Sequence, residues 1–373
     1  MDLLFSIEKD KIIVFLPERV NEQNVTGVKN DLLSIISSRD NLIPVINCKN
    51  LKYISSSGLR GLLIVQHEYK KDKITLNNVG KDVYEILEMT GFVNIFHVSR
   101  EVKSLDISGC DKIAVGINGS FYNIKNGIML KVFSEDVTLE EAEREIEMAK
   151  KALINGIPTP ISFTVVKCGE SYGVLYEEIE PVTILQKIKQ DPDNEMKYIF
   201  KVADFVRELH EKEVNPGDMP SIKNRYMDWI DMAGKTLGAS RVISMKDLVN
   251  RIDDKHTFLH GDLSLDHVFI VGDELMVMDM ASCGYGHPIF DLQALYASLV
   301  AIELDNPGYC KNTFGLDTIR CRNLWRQFIN RYLTGEDKVK DDYKANYKSL
   351  NQLLSRYYIL KEQILDALQR RAR

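Results

Sequence analysis

Apolar and polar positions follow two periods along this chain, and the switches between them mark the elements. Residues 3–7 and 11–16 alternate at the strand period, and Glu8-Lys9-Asp10 between them predicts a hairpin turn. Residues 24–38 carry Val25, Val28, Leu32, Ile35 and Ile36 at helical spacing. The run Ile43-Pro44-Val45-Ile46-Asn47-Cys48 predicts a short buried strand. Ser55-Ser56-Ser57-Gly58 then opens an apolar helix from Leu59 to His67. A strand over 73–76 and a helix over 83–89 complete a unit spanning residues 1–100. Strands alternating with helices imply a small α/β domain with a mixed or parallel sheet. Residues 101–110 are polar, contain Ser108-Gly109 and are expected to be a linker.

Beyond that linker the pattern opens with strands. Residues 114–123 and 127–133 flank Lys125-Asn126-Gly127, a hairpin-turn sequence. Thr138-Leu139-Glu140-Glu141 is an N-capping pattern, and the helix it starts is stopped by Asn155-Gly156-Ile157-Pro158. Strands are expected over 161–167 and 172–178. From residue 182 onward the helical period dominates, apart from 257–280, and 343–373 is one amphipathic stretch. The second region therefore divides into a sheet-rich lobe, 111–180, and a helical lobe, 181–373.

Composition narrows the class. The chain has 373 residues, 45% hydrophobic and 27% charged, ordinary values for a globular protein. A net charge of −6 gives no general attraction for nucleic acid. Cys48, Cys110, Cys168, Cys283, Cys310 and Cys321 are scattered, with no CxxC and no zinc spacing. They are expected to be free thiols of a reducing compartment. No apolar run approaches the ~18 residues of a membrane span, and the first residues lack a signal-peptide pattern. The expected location is cytoplasmic, without membrane insertion.

Two acidic residues carry the candidate chemistry. Phe258-Leu259-His260-Gly261-Asp262-Leu263-Ser264-Leu265-Asp266-His267-Val268-Phe269 is followed by Met276-Val277-Met278-Asp279-Met280. A loop and a short hairpin would bring Asp262 and Asp279 to one cleft. Such a pair divides the work of phosphoryl transfer, one carboxylate on the attacking hydroxyl and one on a metal at the nucleotide phosphates. Upstream lie a glycine turn, Gly116 to Gly119, and a strand lysine, Lys131. Backbone amides at glycines approach phosphates closely, and a buried lysine needs a partner. Glu145 on the next helix is the candidate partner.

In that order, these features resemble the aminoglycoside phosphotransferase and choline kinase family, distant relatives of protein kinases. Arg144-Glu145-Ile146-Glu147 through Gly156-Ile157-Pro158-Thr159-Pro160 looks like the family's helix and its close. Phe258-Leu259-His260-Gly261-Asp262 looks like its catalytic loop. Val277-Met278-Asp279-Met280, with Gly286-His287-Pro288-Ile289-Phe290-Asp291-Leu292, looks like its metal-binding Asp and the helix beyond. The resemblance implies an α+β bilobal, protein-kinase-like fold using ATP or GTP with Mg²⁺. It implies that Asp262 orients or deprotonates the acceptor hydroxyl and that Asp279 holds the metal. Lys131 would contact the nucleotide phosphates and pair with Glu145, with Gly116 and Gly119 beside them. Glu177 would meet the adenine through backbone groups. Asp291 would brace the loop, and His260 would bond local backbone.

His267 stands where that family has a metal-binding Asn. A nitrogen donor suits Mg²⁺ poorly and Mn²⁺ better. Three outcomes stay open: one metal on Asp279 with His267 behind it, a softer metal on both, or a site that binds nucleotide without fast turnover.

Residues 1–100 resemble the STAS domain of anti-sigma-factor antagonists. The likeness rests on the strand pair, on Ser56-Ser57-Gly58-Leu59, and on Glu85-Ile86-Leu87-Glu88-Met89-Thr90-Gly91-Phe92. It implies that Ser56 is a phosphoacceptor and that the module docks a protein partner. Ser55 replaces the Asp that usually precedes that serine. The chain as a whole is expected to be an ATP-dependent small-molecule kinase that phosphorylates an alcohol. The alternative is a nucleotide-binding regulatory scaffold signalling through its STAS domain. Asp228, Asp231, Glu303 and Asp305 would line a cationic acceptor's pocket or form solvated surface.

Overall fold

The alternation at the start of the chain becomes a hairpin in the computed structural model, which describes residues 3–39, 41–116, 119–179, 182–338 and 343–372. Strand β1 (Phe5–Glu8) pairs antiparallel with β2 (Lys11–Phe15). Helix α1 (Val25–Ser37) buries Val28, Leu32 and Ile36, the stripe its periodicity marks. There follow β3 (Ile43–Asn47), α2 (Ser56–Glu68), β4 (Thr75–Val79), α3 (Lys81–Met89) and β5 (His97–Arg100). The five strands lie in chain order, and β2 to β5 run parallel. Ile12, Ile46, Leu76 and Leu32 are fully enclosed in the core of this unit.

The chain divides into two compact units after Lys103. The second opens with an antiparallel sheet of β6 (Asp111–Gly116), β7 (Gly119–Lys125), β8 (Ile128–Val132), β9 (Ser162–Cys168) and β10 (Ser171–Glu177), in the order β9-β10-β8-β7-β6. Asn126 and Gly127 both take left-handed backbone, φ 56° and 76°. That is the twist a two-residue hairpin turn requires. Helix α4 (Leu139–Ile154) starts with a capping box. Thr138 Oγ1 accepts from the Glu141 amide at 3.2 Å, and Glu141 Oε2 accepts from the Thr138 amide at 2.8 Å. This start sets the helix phase so that Ala142, Glu145, Ile146 and Ala149 face inward.

The segment expected as a linker is partly built into the second unit. Ser104 bridges to Lys167, the Leu105 amide donates to the Lys167 carbonyl at 2.8 Å, and Leu105 and Ile107 pack on Leu130 and Val166. Two apolar residues among polar neighbours are enough to dock it on β9.

The remainder is mostly helical: α5 (Ile184–Gln190), α6 (Glu195–Glu211), α7 (Ile222–Leu237) and α8 (Ala239–Asn250). Four short strands interrupt it, β11 (Thr257–Leu259), β12 (Val268–Val271), β13 (Glu274–Val277) and β14 (Gly284–Gly286). Helix α9 (Ile289–Tyr296) continues through a π turn at Ala297–Ala301, and α10 (Thr318–Thr334) and α11 (Tyr343–Ala372) finish the chain. No helix among the described residues is long and apolar enough to cross a membrane.

Trp325 sits fully enclosed in this helical core, its Nε1 donating to Asn351 Oδ1 at 3.0 Å. Trp325→Ala is expected to cost about 3–5 kcal/mol. Urea unfolding followed by fluorescence of the other tryptophan, Trp229, reads this as a lowered midpoint.

Candidate active site

Strand β11 delivers its last residues to a loop that a buried carboxylate holds in place. Asp291, in the first turn of α9, is 1% exposed. Its oxygens accept from the amides of His260 and Gly261, both at 2.7 Å, and from His210 Nε2 at 3.1 Å. Burial pushes the Asp291 carboxyl up, but His210, His260 and the loop amide outweigh it and keep it below the ordinary value. Gly261 turns the loop with φ 83°, and a Cβ there would lie 2.0 Å from the Ser282 carbonyl oxygen. His260 donates from Nε2 to the Met278 carbonyl at 2.7 Å, and its ring stacks on His267. Its bonds are local backbone bonds.

Asp262 emerges from this loop with its side chain half exposed. Its Oδ1 lies 3.3 Å from Lys361 Nζ, on α11. Burial raises this carboxyl, yet Lys361, His267 and His260 together hold it below the usual carboxylate range. The Asp262 carbonyl accepts from His267 Nδ1 at 2.7 Å. A carbonyl only accepts, so Nδ1 carries the proton. Burial, with His260 adding to it, lowers the His267 pKa to about 4, so the ring is neutral. Its Nε2 lone pair therefore faces Asp279 Oδ2, 3.2 Å away.

The β12–β13 hairpin returns the chain to this point. Asp279 has left-handed backbone, φ 65°, which an L residue adopts only at a cost. The next two amides explain how it is held: Met280 donates to Glu145 Oε1 at 3.0 Å and Ala281 to Glu145 Oε2 at 2.8 Å. Tyr176 donates its hydroxyl to Glu145 Oε1 at 3.0 Å. Lys131, 2% exposed on β8, makes its ion pair with Asp279 Oδ1. Burial lowers the Lys131 pKa to about 8, with Glu145 opposing the shift.

The expected Lys131–Glu145 ion pair is thus not formed. Glu145 is fully engaged by Tyr176 and two amides, and Lys131 turns to Asp279 instead. At the segment expected to meet the adenine, Glu177 to Ile179, the Glu177 amide donates to the Ile161 carbonyl at 3.0 Å and that of Glu178 to the Gly127 carbonyl at 2.9 Å, so two of its backbone donors are used by the sheet. Gly116 ends β6 and Gly119 begins β7, while Ile117 and Asn118 between them lie outside the described residues. A Cβ on Gly119 would stand 2.3 Å from the Val132 carbonyl oxygen, so a close strand approach requires this glycine.

Among the described residues no three His, Cys, Asp or Glu side chains gather as a metal cage. His267 and Asp279 offer two donors. The Glu303 carboxylate is bound by Thr318 Oγ1 at 2.7 Å and by the amides of Gly308 and Cys310. Those bonds lower its pKa to about 2. Asp231 pairs with Lys246, and Asp228 and Asp305 are exposed. Sequence reasoning missed Lys361 and Tyr176. Lys361 had a signal, since it falls on the apolar stripe of α11 that carries Leu354, Tyr358 and Ile364.

In the first unit Ser55, not Ser56, caps α2, accepting from the Gly58 amide at 3.3 Å. Ser56 is exposed in the first helical turn. Glu22 lies against this loop, its carboxyl held low by its own backbone amide and by the hydroxyls of Ser55 and Ser57.

Two glycine variants test the loop's construction. Gly272→Ala, at φ 62° with nothing near its Cβ, should cost the left-handed penalty of roughly 1–2 kcal/mol. Gly261→Ala should cost about 1–3 kcal/mol more, because its methyl must also displace the Ser282 carbonyl. Denaturant unfolding of the two variants side by side measures the difference.

A STAS domain model matches residues 6–105, and a phosphotransferase enzyme family model matches residues 120–309. No curated protein matches the chain. Among solved structures it is similar to an aminoglycoside phosphotransferase from Streptomyces rimosus ATCC10970, with 16% identity over 66% of this chain and 93% of that one, at a TM-score of 0.38. A choline/ethanolamine kinase family protein from Mesorhizobium loti is 12% identical over 70% of this chain and 93% of its own, at 0.37. For an aminoglycoside-3'-phosphotransferase of type VIII the values are 15%, 66%, 94% and 0.40. The family match spans half of the chain and covers the loop, the lysine and both carboxylates: this protein belongs to the phosphotransferase enzyme family and carries a STAS domain ahead of its phosphotransferase domain.

Proposed function

We propose that the second unit transfers the terminal phosphoryl group of ATP, or GTP, to the hydroxyl of a small molecule. The observation that carries this reading is the meeting of Lys131, Asp279 and His267 beside a half-exposed Asp262. Asp262 accepts or orients the acceptor's proton while the new phosphorus–oxygen bond forms and the bond to the leaving diphosphate breaks. Lys131 is a buried cation on the same cleft. When nucleotide binds, its ammonium is placed to donate to phosphate oxygens, with Gly116 and Gly119 at the strand turn beside it.

The donor set fits one divalent cation. Asp279 Oδ2 and His267 Nε2 are 3.2 Å apart with lone pairs facing. Asp279 and His267 would hold such an ion, which would supply positive charge against the negative charge developing on the phosphates. A nitrogen donor favours Mn²⁺ over Mg²⁺. The first unit docks a protein partner, and Ser56 is the serine accessible to phosphorylation. The second reading, a nucleotide-sensing scaffold signalling through STAS, draws on the same two departures, His267 and Ser55.

ATP with Mn²⁺ or Mg²⁺ is expected to raise the melting temperature, and Asp279→Ala to remove most of that rise. ADP release across a panel of hydroxylated metabolites should fall at least about 100-fold in Asp262→Ala. Equal rates in the two proteins would leave only the scaffold. His267→Asn should shift the preference from Mn²⁺ toward Mg²⁺ in both assays; an unchanged ratio would remove His267 from the metal.

A further inference from the structure

Helix α11 places a cation on the acceptor side of the loop. Its buried stripe, Leu354, Tyr357, Tyr358 and Ile364, packs against α7 and α9. Lys361 lies on the same stripe, one turn from Tyr358 and one from Ile364. Its side chain is 17% exposed, against 51% for Asp262, and Nζ stands 3.3 Å from Asp262 Oδ1. The stem is therefore packed in place and the ammonium delivered to the open edge of the carboxylate. Ninety-nine residues of sequence separate the two groups, so the tertiary fold builds the contact.

An acceptor must bring its hydroxyl to Asp262, and there it meets Lys361. Two acidic residues considered for a cationic acceptor are engaged elsewhere, Glu303 by Thr318 and two amides and Asp231 by Lys246. A cationic alcohol would meet the Lys361 ammonium at the very carboxylate that must receive its hydroxyl. An anionic group beside the hydroxyl would instead take over the ammonium and release Asp262 for the proton.

We infer that Lys361 is a specificity-determining residue and that the acceptor is an alcohol bearing a carboxylate or phosphate. This rests on the phosphotransferase reading. The test is thermal shift and calorimetry on the full chain, saturated with ADP and Mn²⁺, using glycerate, glycerol 3-phosphate, glycerol and choline as probes. The anionic alcohols should raise the melting temperature and choline should not. Lys361→Met should weaken the anionic probes about tenfold or more, as expected for a lost charge-assisted bond. Lys361→Arg should restore them, which a merely structural role would not explain. If ADP and Mn²⁺ stabilise the protein but glycerol or choline binds as well as the anions, the inference falls and phosphotransfer stands. Equal binding of the anions by wild type and Lys361→Met overturns it too. If ADP and Mn²⁺ themselves give no stabilisation, both fall together.

Discussion

The Asp279 carboxylate is the point on which the second unit's architecture converges. Its backbone is left-handed, and that conformation persists only because the surroundings over-determine it. Two elements do so. Strand β8 contributes Lys131, and α4 contributes Glu145 beneath the following amides. A buried ammonium without a partner, or a carboxylate left unpaired by removing it, would cost several kcal/mol. The sheet is tied to the Asp279 side chain and the helix to the two amides that follow it, so both elements meet at one short segment.

Two buried carboxylates secure the chain on either side of the cleft. Glu145 fixes the chain just after Asp279, and Asp291 fixes the chain just before Asp262. Both are nearly inaccessible, and both satisfy backbone amides. At Asp291 those N–H bonds favour the charged form and keep the carboxyl below its ordinary value despite burial. The amides in turn lose their freedom to pair elsewhere. Asp262 therefore presents a half-exposed side chain from a held backbone.

Most of this was legible in local pattern. The capping box at Thr138, the turn at Asn126-Gly127 and the buried phase of α4 are short-range facts, and the chain spells them within four residues. Asp291 as a brace for the loop was readable from its place at a helix start. What escaped was choice among partners. A buried lysine and a nearby glutamate suggest a pair, but Glu145 finds three donors and Lys131 a different acid. Periodicity gives a residue's face and not its neighbour across space. The same limit hid Lys361, whose partner lies in another element, and the docking of Leu105 and Ile107 on β9. The π turn after α9 escaped for a different reason. It lies in a segment buried all round, where apolar spacing cannot reveal one extra residue per turn.

His267 is the residue that most changes meaning between sequence and structure. As a letter it replaces an expected amide, which suggests loss. In the fold both ring nitrogens have defined tasks. Nδ1 donates to the Asp262 carbonyl and Nε2 faces Asp279. The ring stacks on His260, whose own nitrogen is anchored to the Met278 carbonyl just before Asp279. An asparagine could reach one of these contacts, but its shorter side chain offers no flat surface to His260. The imidazole thus spans from the Asp262 backbone to the Asp279 side chain. A residue only 8% exposed, hydrogen-bonded through Nδ1 and with Nε2 directed at Asp279, is built into the site rather than left over in it.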